Sequence, residues 1–310
     1  MAFGVRFGVV LLPQDRWAVA REKWQRAEEY GFDHAWTYDH LAWRTLVDEP
    51  WFATVPLLAA AAAVTTRIKL GTWVASPNYR HPVPFAKDVM GLDDISSGRL
   101  LLGIGAGGTG VDSQVMGPAQ TARDRTKRFA EFTALLDLLL TSPVTEHVGE
   151  FYEAHGARMF PGCVQRPRVP FVVAANGPRA MALAARYGQG WTTFGPTFAD
   201  DDVASSPAQA QERWWAGLAT MVDQFEAAVA DVDRDPRTID RYLNLDGAPV
   251  YSLDSYATLA EGTARAAALG FTDVVVHWPR ADGIYAGSEA VLEEMATRLP
   301  KLRGDVLPAN

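Results

Sequence analysis

Eight apolar runs, each followed by a stretch of helical period, predict a parallel (β/α)8 TIM barrel with a hairpin inserted before the fifth barrel strand. Three observations carry this expectation. The strand candidates are nearly continuous in apolar residues, as strands covered on both faces are. They alternate with helix-period stretches along the whole chain. The third is size: 310 residues, 48% hydrophobic and 21% charged, can bury one large core, and no linker or repeat divides them. One domain over residues 1–310 is expected.

The elements follow in order. Strand Arg6–Leu12 leads to helix Trp17–Tyr30. The aromatic run His34–Tyr38 is the second strand, and Phe52–Thr65 its helix. Within that helix the apolar stretch from Val55 to Val64 reads as a buried face, far shorter than the roughly 20 residues of a membrane span. Ile68–Val74 precedes helix Pro84–Ile95, and Leu100–Gly105 precedes Asp124–Leu140. Pro143 to Arg168 is too long for a bare connection. Alternation around Thr145–Tyr152, with a turn at Gly149, marks the inserted hairpin. Pro170–Ala175, Gly190–Phe194, Arg241–Leu245 and Asp273–Trp278 complete the strands. Their helices are Arg179–Tyr187, Ala208–Val229, Ser255–Ala268 and Ser288–Leu299.

A net charge of -8 argues against a nucleic-acid partner, whose backbone rewards clustered Lys and Arg. Cys163 is the only cysteine, so no internal disulfide is expected; it reads as a small buried or loop residue in a reducing compartment. The N-terminus runs into a strand without a charged head and cleavage site, and no apolar run is long enough for the membrane. Cytoplasmic placement is expected.

In such a barrel, chemistry gathers where strands end at the C-terminal rim. Asp39-His40 stands at the end of the second strand, and His40 is the only one of the 6 histidines directly beside a carboxylate. An imidazole moves protons near neutral pH, which makes His40 the catalytic candidate. Asp39 reads as its orienting acid, as an acceptor for a polar ligand, or as a cap on the next turn. Trp43 walls the substrate pocket or packs beneath a loop. In Leu70-Gly71-Thr72-Trp73-Val74, glycine near a strand end marks a bulge, and Trp73 is either core filler or a flat surface for a ring-shaped ligand.

Two further rim segments stand out. Gly103-Ile104-Gly105-Ala106-Gly107-Gly108 superficially suggests a dinucleotide fingerprint, but Thr109-Gly110-Val111-Asp112 continues a loop where a helix is needed. A glycine-lined rim that lets a cofactor approach at Gly107 fits better. After Phe171–Ala175, the turn Asn176-Gly177-Pro178 leads into a helix opened by Arg179. Proline there lacks an amide that would be unpaired anyway, and the remaining amides face an anion, so this turn is the phosphate-site candidate. The rim loop Gly195–Pro207, with Asp200-Asp201-Asp202, is a lid or a solvated acidic loop. His34, His81, His147, His155 and His277 show no ligand spacing, so no metal site is expected.

Taken together, Gly31-Phe32-Asp33, Trp36 and Asp39-His40, then Leu70-Gly71-Thr72, Pro77 and Arg80-His81-Pro82, are similar to the bacterial luciferase-like superfamily. Ser97-Gly98-Arg99-Leu100, Gly103-Ile104-Gly105-Ala106-Gly107, Ala174-Ala175-Asn176-Gly177-Pro178-Arg179 and Gly190-Trp191 continue the match. The resemblance spans nearly the whole chain, most specifically residues 30 to 110 and 170 to 192. It is closest to the branch that uses coenzyme F420, a hydride-carrying deazaflavin.

That resemblance implies the cofactor in the C-terminal mouth, touching Asp39, Thr72, Trp73, Val74, Gly107 and Ala175. It implies a non-proline cis peptide at Trp73-Val74 bulging toward the ring, with Asp39-His40 beside the reacting edge and Asn176, Gly177, Pro178 and Arg179 near the phosphate. One departure bears on the substrate. Sugar-phosphate dehydrogenases of this branch carry a glutamate in the rim after strand four, where this chain has Gly108-Thr109-Gly110. An F420-dependent oxidoreductase acting on a small organic molecule is the leading expectation. An FMN-dependent monooxygenase using oxygen is the alternative, and a non-catalytic flavin- or deazaflavin-binding protein the reading from another class. The family's habit and the apolar helix Phe52–Val64 imply a homodimer.

Overall fold

The computed structural model describes residues 4–118, 120–198, 203 and 205–304. Eight parallel strands close into a barrel: β1 (Arg6–Val10), β2 (His34–Thr37), β3 (Lys69–Thr72), β4 (Leu100–Ile104), then β7 (Phe171–Ala174), β8 (Gly190–Thr193), β9 (Asp240–Asn244) and β10 (Asp273–His277). β10 returns to β1 in the register Arg6↔Asp273 to Val10↔His277. The omitted numbers are the expected hairpin, β5 (Val144–Val148) and β6 (Glu153–Arg158), paired antiparallel.

Alternate residues of each strand face two different cores. Those facing outward, such as Phe7, Val9, Ala35, Leu102, Phe171 and Val274, pack beneath the helices. Those facing inward, including Val10, Trp36, Leu101, Val172, Tyr242 and Val275, fill the barrel. Gly71 makes the interior possible. A Cβ there would lie 2.4 Å from the Trp36 ring, so the indole fits only because β3 has no side chain at that height.

The helices are α1 (Trp17–Glu29), α2 (Thr54–Val64), α3 (Pro82–Ile95), α4 (Asp112–Val115), α5 (Ala122–Thr141), α6 (Pro178–Tyr187), α7 (Pro207–Ala230), α8 (Tyr256–Ala268) and α9 (Glu289–Leu302). Glu131 of α5 takes the amides of Glu150, Phe151 and Tyr152 at 3.0, 3.0 and 2.8 Å, which pins the hairpin turn to the barrel.

Three expectations need correction. The expected loop Thr109-Gly110-Val111-Asp112 ends one residue early: Asp112 opens the one-turn α4, where the Ser113 and Gln114 amides bond back to Gly110 and Val111. Helix α2 is not a buried face throughout. Thr54, Leu58, Ala61 and Ala62 are buried, but the other side is open and Phe52 just before it is 42% exposed. β3 ends at Thr72, two residues early, and the chain leaves the sheet before rejoining it at the bridge Ala75↔Ile104. Asp200, Asp201 and Asp202 lie outside the described residues.

The N-terminal end of the barrel is closed by charge. Asp273 receives Arg6 Nε and Nη2 at 2.8 and 2.6 Å and His34 Nε2 at 2.9 Å, while Trp36 Nε1 donates to His34 Nδ1 at 2.6 Å. Burial opposes ionisation of Asp273, yet the bonds from His34 and Arg6 outweigh it and hold the carboxyl below its usual range.

Candidate active site at the barrel mouth

His40 stands on the C-terminal rim just beyond β2, its side chain 22% exposed. Its Nδ1 is 2.5 Å from Asp112 Oδ2, and Asp112 Oδ1 takes the Leu41 amide at 2.7 Å. The first residue of α4 therefore orients both the ring and its loop. A carboxylate can only accept, so Nδ1 carries the proton, and Nε2 has no partner among the described residues. Trp51 Nε1 donates to the His40 carbonyl at 2.8 Å and fixes the backbone.

The acid that orients His40 is thus Asp112, not its neighbour Asp39. Asp39 is fully buried and points away, binding Arg80 through two bonds of 2.7 and 3.1 Å. Its carboxylate has no free face for a ligand. Burial works against the Arg80 charge, but the Asp39 pairing outweighs it.

The bulge after β3 carries the cis peptide Trp73-Val74 that the resemblance implies. Thr72 Oγ1 donates to the Gly103 carbonyl at 2.6 Å and ties the bulge to β4. The Trp73 ring is not a flat surface at the rim. It is 7% exposed and packs on Trp36 with ring centroids 4.8 Å apart, so its side chain is core filler. Val74 covers the glycine rim instead: a Cβ at Gly105 would lie 2.7 Å from Val74 Cγ2. Gly107 is required by its backbone, at φ +74, and by Asn78, whose amide nitrogen a Cβ there would approach to 2.6 Å.

Across the mouth, Ala175 is buried, and its carbonyl accepts from Trp191 Nε1 at 2.8 Å. The Asn176 side chain is engaged: Nδ2 donates to the Gly195 carbonyl at 2.7 Å, and Oδ1 accepts from Thr193 Oγ1 at 2.8 Å. Gly177 is the N-cap of α6 and Pro178 its first residue. Beyond its chain neighbours, no atom lies within 4 Å of where a Gly177 Cβ would sit, so the space beside the N-cap is open. Pro178 and Arg179 are exposed beside them.

The structure adds residues that no adjacent pair in the chain reveals. Asp246, just after β9, receives His277 Nδ1 at 2.9 Å and the His277 amide at 2.6 Å. His277 Nε2 is 2.8 Å from Tyr38 Oη, which lies 2.9 Å from Tyr285 Oη. Trp43 stacks on Tyr285 at 6.2 Å and meets Tyr38 edge-on at 5.1 Å, so it walls this cluster. Asn244 shares the inward face of Tyr242, one layer higher, and its buried Oδ1 has no partner.

Fold and rim together define a TIM-barrel enzyme whose rim polar groups and α6 N-terminus lie at the C-terminal mouth. More narrowly, the chain belongs to the luciferase-like monooxygenase family, whose sequence profile matches residues 4–269. It is 32% identical to an F420-dependent glucose-6-phosphate dehydrogenase of Beutenbergia cavernae, over 89% of this chain and 91% of that one. It is 33% identical to the 4-hydroxyprotoasukamycin monooxygenase of Streptomyces nodosus subsp. asukaensis, over 69% of this chain and 53% of that one. An F420-dependent secondary alcohol dehydrogenase, solved with an F420-acetone adduct, superposes with a TM-score of 0.77 at 17% identity, covering 97% and 99% of the two chains. At that identity the likeness shows the fold.

Proposed function

We propose that this protein is an F420-dependent oxidoreductase acting on a small, partly apolar alcohol or carbonyl compound. The observation that carries the reading is His40, on the C-terminal rim, held at Nδ1 by buried Asp112 with no partner on Nε2 among the described residues. A protein that only bound a cofactor would have no need of an oriented proton-transfer group there. F420, when bound, supplies the hydride chemistry. The residues present suit it. The open N-terminus at Gly177 fits a phosphate, and the orphaned Asn244 Oδ1 fits a ring N–H. The backbones of Thr72, Val74, Gly107 and Ala175 would border the ring, with Pro178 and Arg179 beside the phosphate, and His40 Nε2 would take or return the substrate proton.

The F420-dependent dehydrogenases among the relatives support this cofactor, and the Streptomyces relative supports FMN as the second reading. Gly108-Thr109-Gly110 beyond β4 stand where sugar-phosphate dehydrogenases of the F420 branch carry a glutamate, which favours a substrate other than a sugar phosphate. The half-open apolar face of α2 favours a homodimer, and the single, buried Cys163 favours the cytoplasm. Fluorescence titration of the apoprotein with F420 and with FMN tests the assignment. Micromolar or tighter F420 binding with weaker FMN binding is expected, and the reverse order overturns it.

A further inference from the structure

We infer that Tyr285, Tyr38, His277 and Asp246 form a second proton path, separate from His40, that leads from the mouth into the barrel wall. The inference rests on the oxidoreductase reading for its use, but not for its existence. The hydrogens of the chain can be placed in one sense. Asp246 accepts at every bond it makes: Oδ2 from the His277 amide and Nδ1, Oδ1 from the Ser252 amide at 3.0 Å. His277 Nδ1 therefore carries its proton, and Nε2 accepts from Tyr38 Oη. Tyr38 has then spent its hydrogen, so Tyr285 must donate to it. What remains at the mouth end is the Tyr285 oxygen with a lone pair free, a group that accepts a proton.

Three features set this chain apart from a buried polar plug. The Asp246 and His277 side chains are wholly buried, yet their hydrogen bonds lead outward to the half-buried Tyr285. Tyr285 lies flat on the His277 ring, 3.7 Å between centroids and 8° between planes, and holds a left-handed backbone at φ 62. Such a backbone favours glycine, so the surrounding structure holds the phenol in place against its local preference. Burial also pushes the Tyr285 phenol up to about 12 and Tyr38 higher still, so both stay protonated and pass hydrogens along. The groups facing the chain are Arg44 beside both phenols, Tyr251 on the His277 carbonyl at 2.8 Å, Trp43 on Tyr285, and His40 edge-on to Tyr38.

Run once, the path moves one proton. For a substrate whose hydroxyl lies at Tyr285 rather than at His40, that hydroxyl gives its proton to Tyr285 Oη, the Tyr285 proton passes to Tyr38 Oη, and the Tyr38 proton passes to His277 Nε2. The imidazolium formed lies against the Asp246 carboxylate, so the pair passes from one negative charge to none. F420, when bound, would accept the hydride that the alkoxide so formed can give up. Reversing every hydroxyl serves reduction.

Two measurements test this. The first needs no cofactor: ¹⁵N NMR of the histidine side chains, with His277 assigned by its loss in His277→Gln. An unprotonated Nε2 at neutral pH is expected; a protonated Nε2 cannot accept from Tyr38 and overturns the path. The second compares F420-linked oxidation of secondary alcohols by wild type, His277→Gln and Tyr285→Phe. Each variant is expected to lose about 10²-fold in kcat with KM changed less than about threefold, and His277→Gln to lose the acidic limb of the pH profile. Unchanged kcat, or a limb that persists in His277→Gln, removes the path from the reaction. Failure of wild type to bind F420 counts against the proposed function alone, and the NMR result still decides the path.

Discussion

Both ends of this barrel bury an aspartate–histidine pair next to an aromatic side chain, and only one end is left open. At the N-terminal end every group is satisfied. Asp273 is filled by Arg6, His34 and Thr272, and the second nitrogen of His34 accepts from Trp36. At the mouth, part-exposed His40 is held by Asp112 through one nitrogen while the other has no partner among the described residues, and the chain from Asp246 ends on a tyrosine oxygen with a free lone pair. An acid beside an imidazole is therefore no sign of function by itself. The second nitrogen decides: bonded to an indole N–H, as in His34, it is a structural strut; open, or bonded to a hydroxyl that can relay, it can transfer a proton.

The largest expected effect breaks the open end. His40→Ala should lower turnover about 10²–10⁴-fold with a substrate found by screening secondary alcohols and ketones, while F420 affinity falls far less. His40→Gln should be nearly as slow, because an amide donates hydrogen bonds without exchanging protons near neutral pH. A rate at the wild-type level in both variants would leave His40 as another strut.

The closed end should answer in stability instead. Asp273→Ala leaves His34 buried without its acid and Arg6 with only Asp240, at 2.8 Å. Breaking a buried pair costs about 3–5 kcal/mol, so the urea midpoint should drop sharply while F420 binding to the remaining folded protein is unchanged. A loss of affinity without loss of stability would reverse the roles assigned to the two ends.

How much of this contrast the sequence shows depends on whether partners are neighbours in the chain. The barrel is legible because each strand reports its own burial, and the hairpin because Pro143–Arg168 is too long for a connection. Rim position alone selects His40 and the Gly177-Pro178 turn. The partners are not legible. Asp112 lies 72 residues from His40, and Tyr38 239 residues from His277. The first pair meets when β2, β3 and β4 align and the second only when β10 closes on β1, so adjacency proposes Asp39 for a role that Asp112 fills. One signal was present: His277 ends the run Val274-Val275-Val276, the same strand-end placement that singles out His40. Trp73 misleads for another reason. A tryptophan at a strand end can face the mouth or the interior, and only the missing side chain at Gly71 lets Trp36 sit where Trp73 packs on it.

A smaller effect sharpens the mouth. Gly177→Asp should weaken F420 binding at least about tenfold, since about 1.4 kcal/mol of charge repulsion suffices for that. The fold should be unaffected: φ is -128 and nothing lies within 4 Å of the new Cβ. Equal affinity in a fluorescence titration would move the phosphate away from α6.

The smallest effect tests the closed end once more, through pH. Glu28, near the end of α1, accepts from the amides of Thr66, Arg67 and Ile68 at 2.9, 2.6 and 2.9 Å and so fixes the entry into β3. Burial opposes its charge, but these amides prevail and lower its pKa from 4.5 to about 2. A carboxyl lowered on folding stabilises the protein fully above its unfolded value and loses that contribution as pH falls through the folded one. The contribution should therefore be whole above about pH 4.5 and fade toward about pH 2. Glu28 is part-exposed and water screens it, so Glu28→Gln should cost only about 1 kcal/mol at pH 7. The gap between variant and wild type should then narrow steadily on acidification. A gap of constant size across that range would mean that the amides need only a neutral oxygen there, and that charge at this end matters only at Asp273.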